Sequence, residues 1–493
     1  MEKSDGKQEM KKSMDSGGVM SANGLKYLLP SNISLNTSRA YQQNFADQQS
    51  YQSNSGTELV VRLQSSQGFC YGPNSYLSFD VLATGLVVPN GTALALGFNK
   101  GDATALFSRY LLESKDGQEI ERVEQNNIAV QNCLPWQYPR NYEGVREMAG
   151  APNSRNVEYG VAGPYADSNT GLLASAVFIA SGADPQTYVG TKLRVCIPLS
   201  YFSGLFSCHS LIPSNLISGM LFRLTLENAQ RALSVIQTSL NINYNPAGIN
   251  ADNLIFTITD PVINCDMHNL SPVVAKNIME MSQKGLPYPY TTKYNQLTNV
   301  NGASSVVVQV NKAVSRASRV WTIPQSSEAA SNDSIYINNL GTTSQCYRSV
   351  QTRIGSLYMP FQPINVPNAD LTAVANAKNC AQIYINNLQA LKAVGPDGWH
   401  QHDPAISKND FAGIENANVT NGNLRPNAGR AVYIQTLEQS APLAYSGVSI
   451  NNSRTCEQRI EFGAAKPNSL ELISFLEYVK VAVVYPVRTI IKE

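Results

Sequence analysis

Short runs in which apolar and polar side chains alternate recur through most of the chain, the period of strands with one buried face. Leu59-Val60-Val61-Arg62-Leu63 is the first. Tyr76-Leu77-Ser78-Phe79-Asp80-Val81-Leu82 follows, set off by the turn residues Gly72-Pro73-Asn74. Lys192 to Pro198, Leu221 to Leu226, Leu240 to Tyr244 and Leu254 to Thr259 repeat the texture, and the spacing predicts a strand at each. Ahead of them, residues 1 to about 55 are rich in Ser, Gln, Asn and Gly, and their six basic and five acidic side chains nearly cancel. That stretch is expected to be a tail with little core of its own.

One segment breaks the β pattern. From Ser271 to Lys284, Val274, Ile278 and Met281 fall on one helical face. Ser271 can cap, Pro272 suits the first helical position, and Gly285 and Pro287 end the run. Beyond it the strand texture returns at Ser305–Val310, Ser318–Ile323, Val350–Tyr358, Val432–Leu437 and Tyr478–Tyr485. Two β-rich halves of roughly 200 residues, joined by one capped helix, predict tandem β-sandwiches with long loops. The helix is expected to lie between them, partly buried, so that an Asp at Val274 or Ile278 would disrupt folding. No repeat aligns the halves by sequence.

Composition adds limits. Of 493 residues, 15% are charged, and 37 Lys+Arg against 36 Asp+Glu leave a net charge of +1; about 25% charged is usual. Forty-seven asparagines, with Ser, Thr and Gln, take the place of the missing charge. This balance excludes a basic nucleic-acid coat and an acidic solvating tail. The 43% apolar fraction excludes wholesale disorder. No apolar stretch approaches the ~18–20 residues that span a bilayer, and no secretory leader is visible. The eight cysteines are scattered without a CxxC pair, which reads as buried thiols in a reducing compartment such as the cytosol. Sequons at Asn32, Asn90, Asn332 and Asn418 are expected by chance in so Asn-rich a chain.

The chain holds no phosphate loop, dinucleotide fingerprint, HExxH or GxSxG. His400-Gln401-His402-Asp403 could offer metal ligands, but Gly395-Pro396-Asp397-Gly398 beside it is loop chemistry and no third ligand group accompanies it, so it reads as a solvated loop. Cys208-His209 and Cys265 with His268 lack a nucleophile context and read as packing. Arg316 to Trp321 reads as a strand entering a core with Trp321 buried, rather than a nucleic-acid platform. Tyr288-Pro289-Tyr290 reads as a packing elbow. No catalytic, cofactor-binding or metal residue is assigned, and a surface-making protein is the expectation.

Several runs carry a resemblance. Asn74–Val81, then Leu106–Ser114 with a turn at Lys115-Asp116-Gly117 and Gln118–Glu121, are similar to early strands of double jelly-roll major capsid proteins. Leu211-Ile212-Pro213 through Gly219–Glu227, and Thr259–Ile263 followed by the helix, resemble the close of that family's first barrel. Arg353 to Ile364 is the most specific match, and Ser446–Asn451 and Tyr478–Tyr485 fit the end of a second barrel. The matches run from about Asn74 to the C-terminus. They resemble capsid proteins of eukaryotic double-stranded DNA viruses of the polinton-like, virophage and nucleocytoplasmic large DNA virus group.

The resemblance implies an all-β fold of two tandem eight-stranded jelly rolls with a short inter-barrel helix. It divides the chain into an arm at 1–55, a first jelly roll at 56–270, a helix and linker at 271–286, and a second jelly roll at 287–493. It further implies a non-enzymatic structural protein that forms homotrimers, the pseudo-hexameric capsomers of an icosahedral shell. Its partners would be neighbouring capsomers, penton and minor capsid or cement proteins, with no specific nucleic-acid binding and an internal membrane left open. The chain would be made in host cytoplasm and reside in the virion. A rival reading is a viral carbohydrate- or receptor-binding tandem sandwich, using Trp399 or the Tyr288-Pro289-Tyr290 elbow as platform. A β-rich hydrolase with dispersed carboxylates is a third.

Overall fold

The computed structural model describes residues 36–53, 56–65, 68–88, 93–98, 102–138, 148–150, 178–179, 186–189, 192–237, 250–300, 302–326, 347–366, 381–391, 411, 432–438, 447–451, 454–463, 470–485 and 488–493. The run at Leu240–Tyr244 lies outside them.

Sixteen principal strands fall into two sets of eight. The first set is β1 (Asn36–Phe45), β2 (Glu58–Arg62), β3 (Phe69–Val88), β4 (Phe107–Glu113), β5 (Glu119–Glu124), β6 (Leu193–Pro198), β7 (Leu221–Leu226) and β8 (Ile255–Leu270). The second is β9 (Leu286–Asn299), β10 (Ser305–Val310), β11 (Val314–Ser326), β12 (Tyr347–Ile354), β13 (Leu357–Asn365), β14 (Tyr433–Thr436), β15 (Cys456–Phe462) and β16 (Leu470–Val484). In the first half the sheets run β1-β8-β3-β6 and β2-β7-β4-β5; in the second, β9-β16-β11-β14 and β10-β15-β12-β13. Numbered within its own half, each is therefore 1-8-3-6 over 2-7-4-5. The same winding twice, with antiparallel pairing throughout, is the double jelly roll. Shorter strands extend these sheets, and Ala93–Phe98, Leu233–Gln237 and Phe178–Ile179 form a separate three-stranded sheet.

Alternation carries through to burial where one sheet face is wet: β7 alternates half-buried and buried along Leu221–Leu226. The central strands differ. β16 is buried at nearly every position because both of its faces are covered. One apolar core runs through both halves, and a smaller cluster around Val314, Val320 and Leu476 fills the rest of the second sandwich.

Four expectations need correction. The arm expected over 1–55 holds the first sandwich strand: β1 pairs with β8 from Asn36↔Leu270 to Phe45↔Val262. Its polar sequence, NTSRAYQQNF, hides it because it is an edge strand with an exposed face. The single run at Val350–Tyr358 is a hairpin, β12 and β13, turning at Gly355 with φ +58°. The helix α3 (Pro272–Gln283) forms with Pro272 in its first turn, but the Ser271 side chain makes no cap hydrogen bond, and among the helix residues only Ser282 is buried. Val274 and Ile278 are half-buried, in keeping with a partly buried helix, but Met281, the third member of the stripe, is exposed.

The fourth is the helix α1 (Asn126–Gln137), which the pattern did not predict. It is buried from Asn126 to Trp136, including four amide side chains. Asn127 donates to Glu227 (3.0 Å), Gln131 to Asp102 (2.8 Å) and Asn132 to the Ile128 carbonyl (2.9 Å). Polar residues facing inward erase the amphipathic period. At its end Trp136 packs on Tyr384 and Phe411 of the second half, ring centroids 5.6 and 5.7 Å away. Tyr384 lies on α4 (Ala381–Ala390).

Candidate functional site

Two regions could carry a function: the junction between the sandwiches, and the faces each leaves uncovered. The junction is built where β5 meets β9 and β16. The Ile120 carbonyl accepts from Tyr290 Oη at 2.8 Å and from Lys480 Nζ at 3.4 Å. Tyr288 Oη donates to the Ser210 carbonyl at 2.7 Å. The short helix α2 (Gly204–Ser207) lies against β9 so closely that a Cβ at Gly204 would sit 1.5 Å from the Thr291 carbonyl oxygen. Only glycine fits there.

Beside Gly204, the buried carboxyl of Glu121 accepts from Ser203 Oγ, from Tyr110 Oη (3.3 Å) and from the N–H groups of Gly204 (3.0 Å) and Leu205 (3.4 Å). Burial pushes its pKa up to about 7, against the hydrogen bonds and the charge of Lys480. A cavity of about 120 Å³ adjoins it, lined also by Thr292, Lys293 and Glu477. Burial works to raise Glu477 too, but the charges of Arg319 and Lys293, with hydrogen bonds from Trp321 Nε1 (2.9 Å) and Arg319 (3.2 Å), hold it below the usual range. Two carboxyls with opposite shifts in one cavity resemble an acid–base pair. The space is far below the ~300–1,000 Å³ of a ligand pocket, and both groups are already enclosed by protein donors.

The sequence-derived candidates disperse. His400, His402, Asp403 and Trp399 lie outside the described residues. Cys208 donates toward the carbonyls of Gly204 (3.3 Å) and Pro289 (3.5 Å), and burial with the Glu121 charge pushes its thiol up to about 11. His209 pairs with Tyr71 Oη at 3.2 Å instead. Cys265 hydrogen-bonds with Cys70, and that bond, then burial, drives its pKa up. His268 sits 3.4 Å from Asp266. Neither Cys–His combination forms a thiolate–imidazole pair. Trp321 is fully buried in β11, as expected, and Tyr288 and Tyr290 are buried at the junction. The elbow is thus packing, and it offers no ring to a glycan. The six described cysteines are free thiols, and no described helix is long and apolar enough to cross a membrane.

The uncovered faces are apolar in three separate places. On β1, Phe45 is 67% exposed and Tyr41 stands beside Tyr76. On α3, Val273 is 70% exposed, with Met279 and Met281 nearby in sequence. On β13, an outer strand of its sheet, Phe361 is 86% exposed, and Tyr358 lies under the guanidinium groups of Arg353 and Arg459. β1 is held firmly: Arg39 makes two bonds to the buried carboxylate of Asp266, at 2.7 and 2.8 Å, and Asn74 adds a third at 3.0 Å. Burial would raise Asp266, but these partners and His268 bring it below the ordinary carboxylate range. Nothing in the sequence pattern marked these faces, because isolated apolar residues in polar strands are ordinary.

No family model and no curated protein matches the chain. Solved structures do. A chain of the Sputnik virophage cryo-EM structure aligns with a TM-score of 0.56 at 11% identity, over 96% of this chain and 91% of that one. The Faustovirus major capsid protein aligns with a TM-score of 0.56 at 8% identity, over 96% and 94%. PBCV-1 VP54, from a crystal structure fitted into a reconstruction of Sputnik, gives 0.52 at 13% identity, over 93% and 97%. At these identities the likeness is one of fold: this chain carries the double jelly roll of viral major capsid proteins along almost its whole length.

Proposed function

We propose that this double jelly-roll chain is the major capsid protein of an icosahedral virus, a structural, non-enzymatic subunit that acts by associating with copies of itself. The observation that carries the reading is the pair of identically wound sandwiches, locked through a shared core and matched to capsid proteins from end to end. The apolar faces on β1, α3 and β13 agree with it. A free monomer gains nothing from exposing Phe45, Val273 and Phe361, whereas a tile with neighbours on several sides covers them.

On this reading the chain forms homotrimers of six barrels, pseudo-hexagonal capsomers that pack beside one another, with penton and minor proteins completing the shell and the virion as its location. A net charge of +1 permits close packing of copies and leaves little basic charge to grip a genome. Light scattering of the purified protein tests this first. The expected mass is three times the 53.6 kDa chain, and electron micrographs should show particles of hexagonal outline. A monomer at every concentration would overturn it.

A further inference from the structure

Glu121 is 1% exposed at the line where the sandwiches meet, and it has two ways to be satisfied. Of its four donors, the N–H groups of Gly204 and Leu205 can only donate, whereas the hydroxyls of Ser203 and Tyr110 can also accept. An ionised carboxylate uses all four as they stand. A protonated carboxyl keeps them by turning one hydroxyl round to accept its proton.

The groups that face it decide which form is favoured. Lys480 on β16 is the nearest cation, itself 3% exposed, but it is shared with Glu493 at 2.9 Å and with the Ile120 carbonyl. Lys293 on β9 belongs to Glu477 and lies 5.8 Å over the Trp321 ring. Glu119 on its own strand and Glu493 at the C-terminus add negative charge. Tyr110 on β4, Tyr290 on β9 and Tyr478 on β16 are all raised by burial, as is Cys208, so they stay neutral near pH 7. Among the described residues no cation is left to neutralise Glu121 outright, and the adjoining cavity of about 120 Å³ has room for several waters. Thr292, 4% exposed, lines that cavity with a hydroxyl that has no partner, ready to bind such water.

We propose that Glu121 is a proton-operated latch between the sandwiches: protonated, it lets the junction close around it, and ionised, it draws water into the adjoining cavity and loosens β5 and α2 from β9. The latch goes beyond the shell reading and does not depend on it. Its sign follows from linkage. Burial raises the carboxyl from 4.5 to about 7, so between those values the folded chain holds a proton that the unfolded chain has released. Stability and junction protection are therefore greatest in acid, fall as pH rises through that window, and level off above it.

The test compares wild type, Glu121→Gln and Ser203→Ala by hydrogen exchange over residues 199–207 and 286–295, from pH 5 to 8.5 and corrected for intrinsic rates. In wild type the opening equilibrium should grow with pH, by up to about 70-fold between pH 5 and 8.5. Glu121→Gln cannot ionise and should give a flat profile. Ser203→Ala loses a bond that favours the ionised form, so its rise should move to higher pH. A sloping profile in Glu121→Gln, or an unmoved one in Ser203→Ala, overturns the latch. If Glu121→Gln fails to fold, infrared difference spectra of the other two proteins decide. The protonated-carboxyl band should vanish near pH 7 in wild type and later in Ser203→Ala, and its absence already at pH 5.5 overturns the proposal.

Discussion

Replacing Gly204 by Ala puts a single methyl group where the sandwiches touch. That carbon would lie 1.5 Å from the Thr291 carbonyl oxygen, 2.7 Å from its carbon and 3.1 Å from Glu121 Oε1. Favourable contacts between heavy atoms lie near ~3.5–4.0 Å, so α2 and β9 must separate. The obstructing atoms are backbone, and β9 is fixed along Leu286–Asn299 by its ladder with β16, so no rotamer change relieves the clash. Overpacking costs ~1–3 kcal/mol where neighbours can yield, and backbone on both sides sets the expectation at about 3 kcal/mol. Gly117→Ala is the control. Gly117 has φ +76° with nothing within 4 Å, so only local strain of ~1–2 kcal/mol follows. Denaturation followed by tryptophan fluorescence reads both halves, since Trp136 and Trp321 are buried one in each. Hydrogen exchange then locates the damage. Gly204→Ala should release residues 199–207 and 286–295 together, whereas Gly117→Ala should release only the β4–β5 turn. A Gly204→Ala protein with the wild-type midpoint and unchanged protection along Tyr288–Lys293 would refute the view that this contact joins the sandwiches.

Other outcomes are expected from the same structure. Trp136→Ala removes the α1 side chain that packs on Tyr384 and Phe411, and should cost ~3–5 kcal/mol in calorimetry or denaturant titration. Asp266→Asn should free β1, seen as faster proteolysis within residues 36–45 at neutral pH. Because the folded Asp266 titrates below its unfolded value, the wild type should lose this advantage only as pH falls below about 3.9, the reverse of the Glu121 dependence. Phe361→Ser, at an 86% exposed site, should leave unfolding within about 0.5 kcal/mol of wild type while weakening self-association in sedimentation. Val273→Asp on α3 should behave likewise, with circular dichroism unchanged, because no buried charge is created.

The sequence by itself determined the local elements. Alternation marked β2, β6 and β7, and the Pro and Gly signals placed α3 within one residue at each end, because these signals come from neighbours along the chain. The order of the strand motifs then carried the double jelly roll. What depends on partners far away was not legible. β1 reads as polar tail until Asp266, some 227 positions on, takes its Arg39. α1 reads as no helix until Asp102 and Glu227 arrive to satisfy its buried amides. α3 has a proper apolar stripe, yet only the tertiary structure shows that Val274 and Ile278 are half-buried while Met281 is left exposed. Glu121 and Lys480 are unremarkable letters in two strands 359 residues apart. Packing β5 on β9 and β16 takes both out of water, and burial turns them from surface charge into the polar centre of the junction.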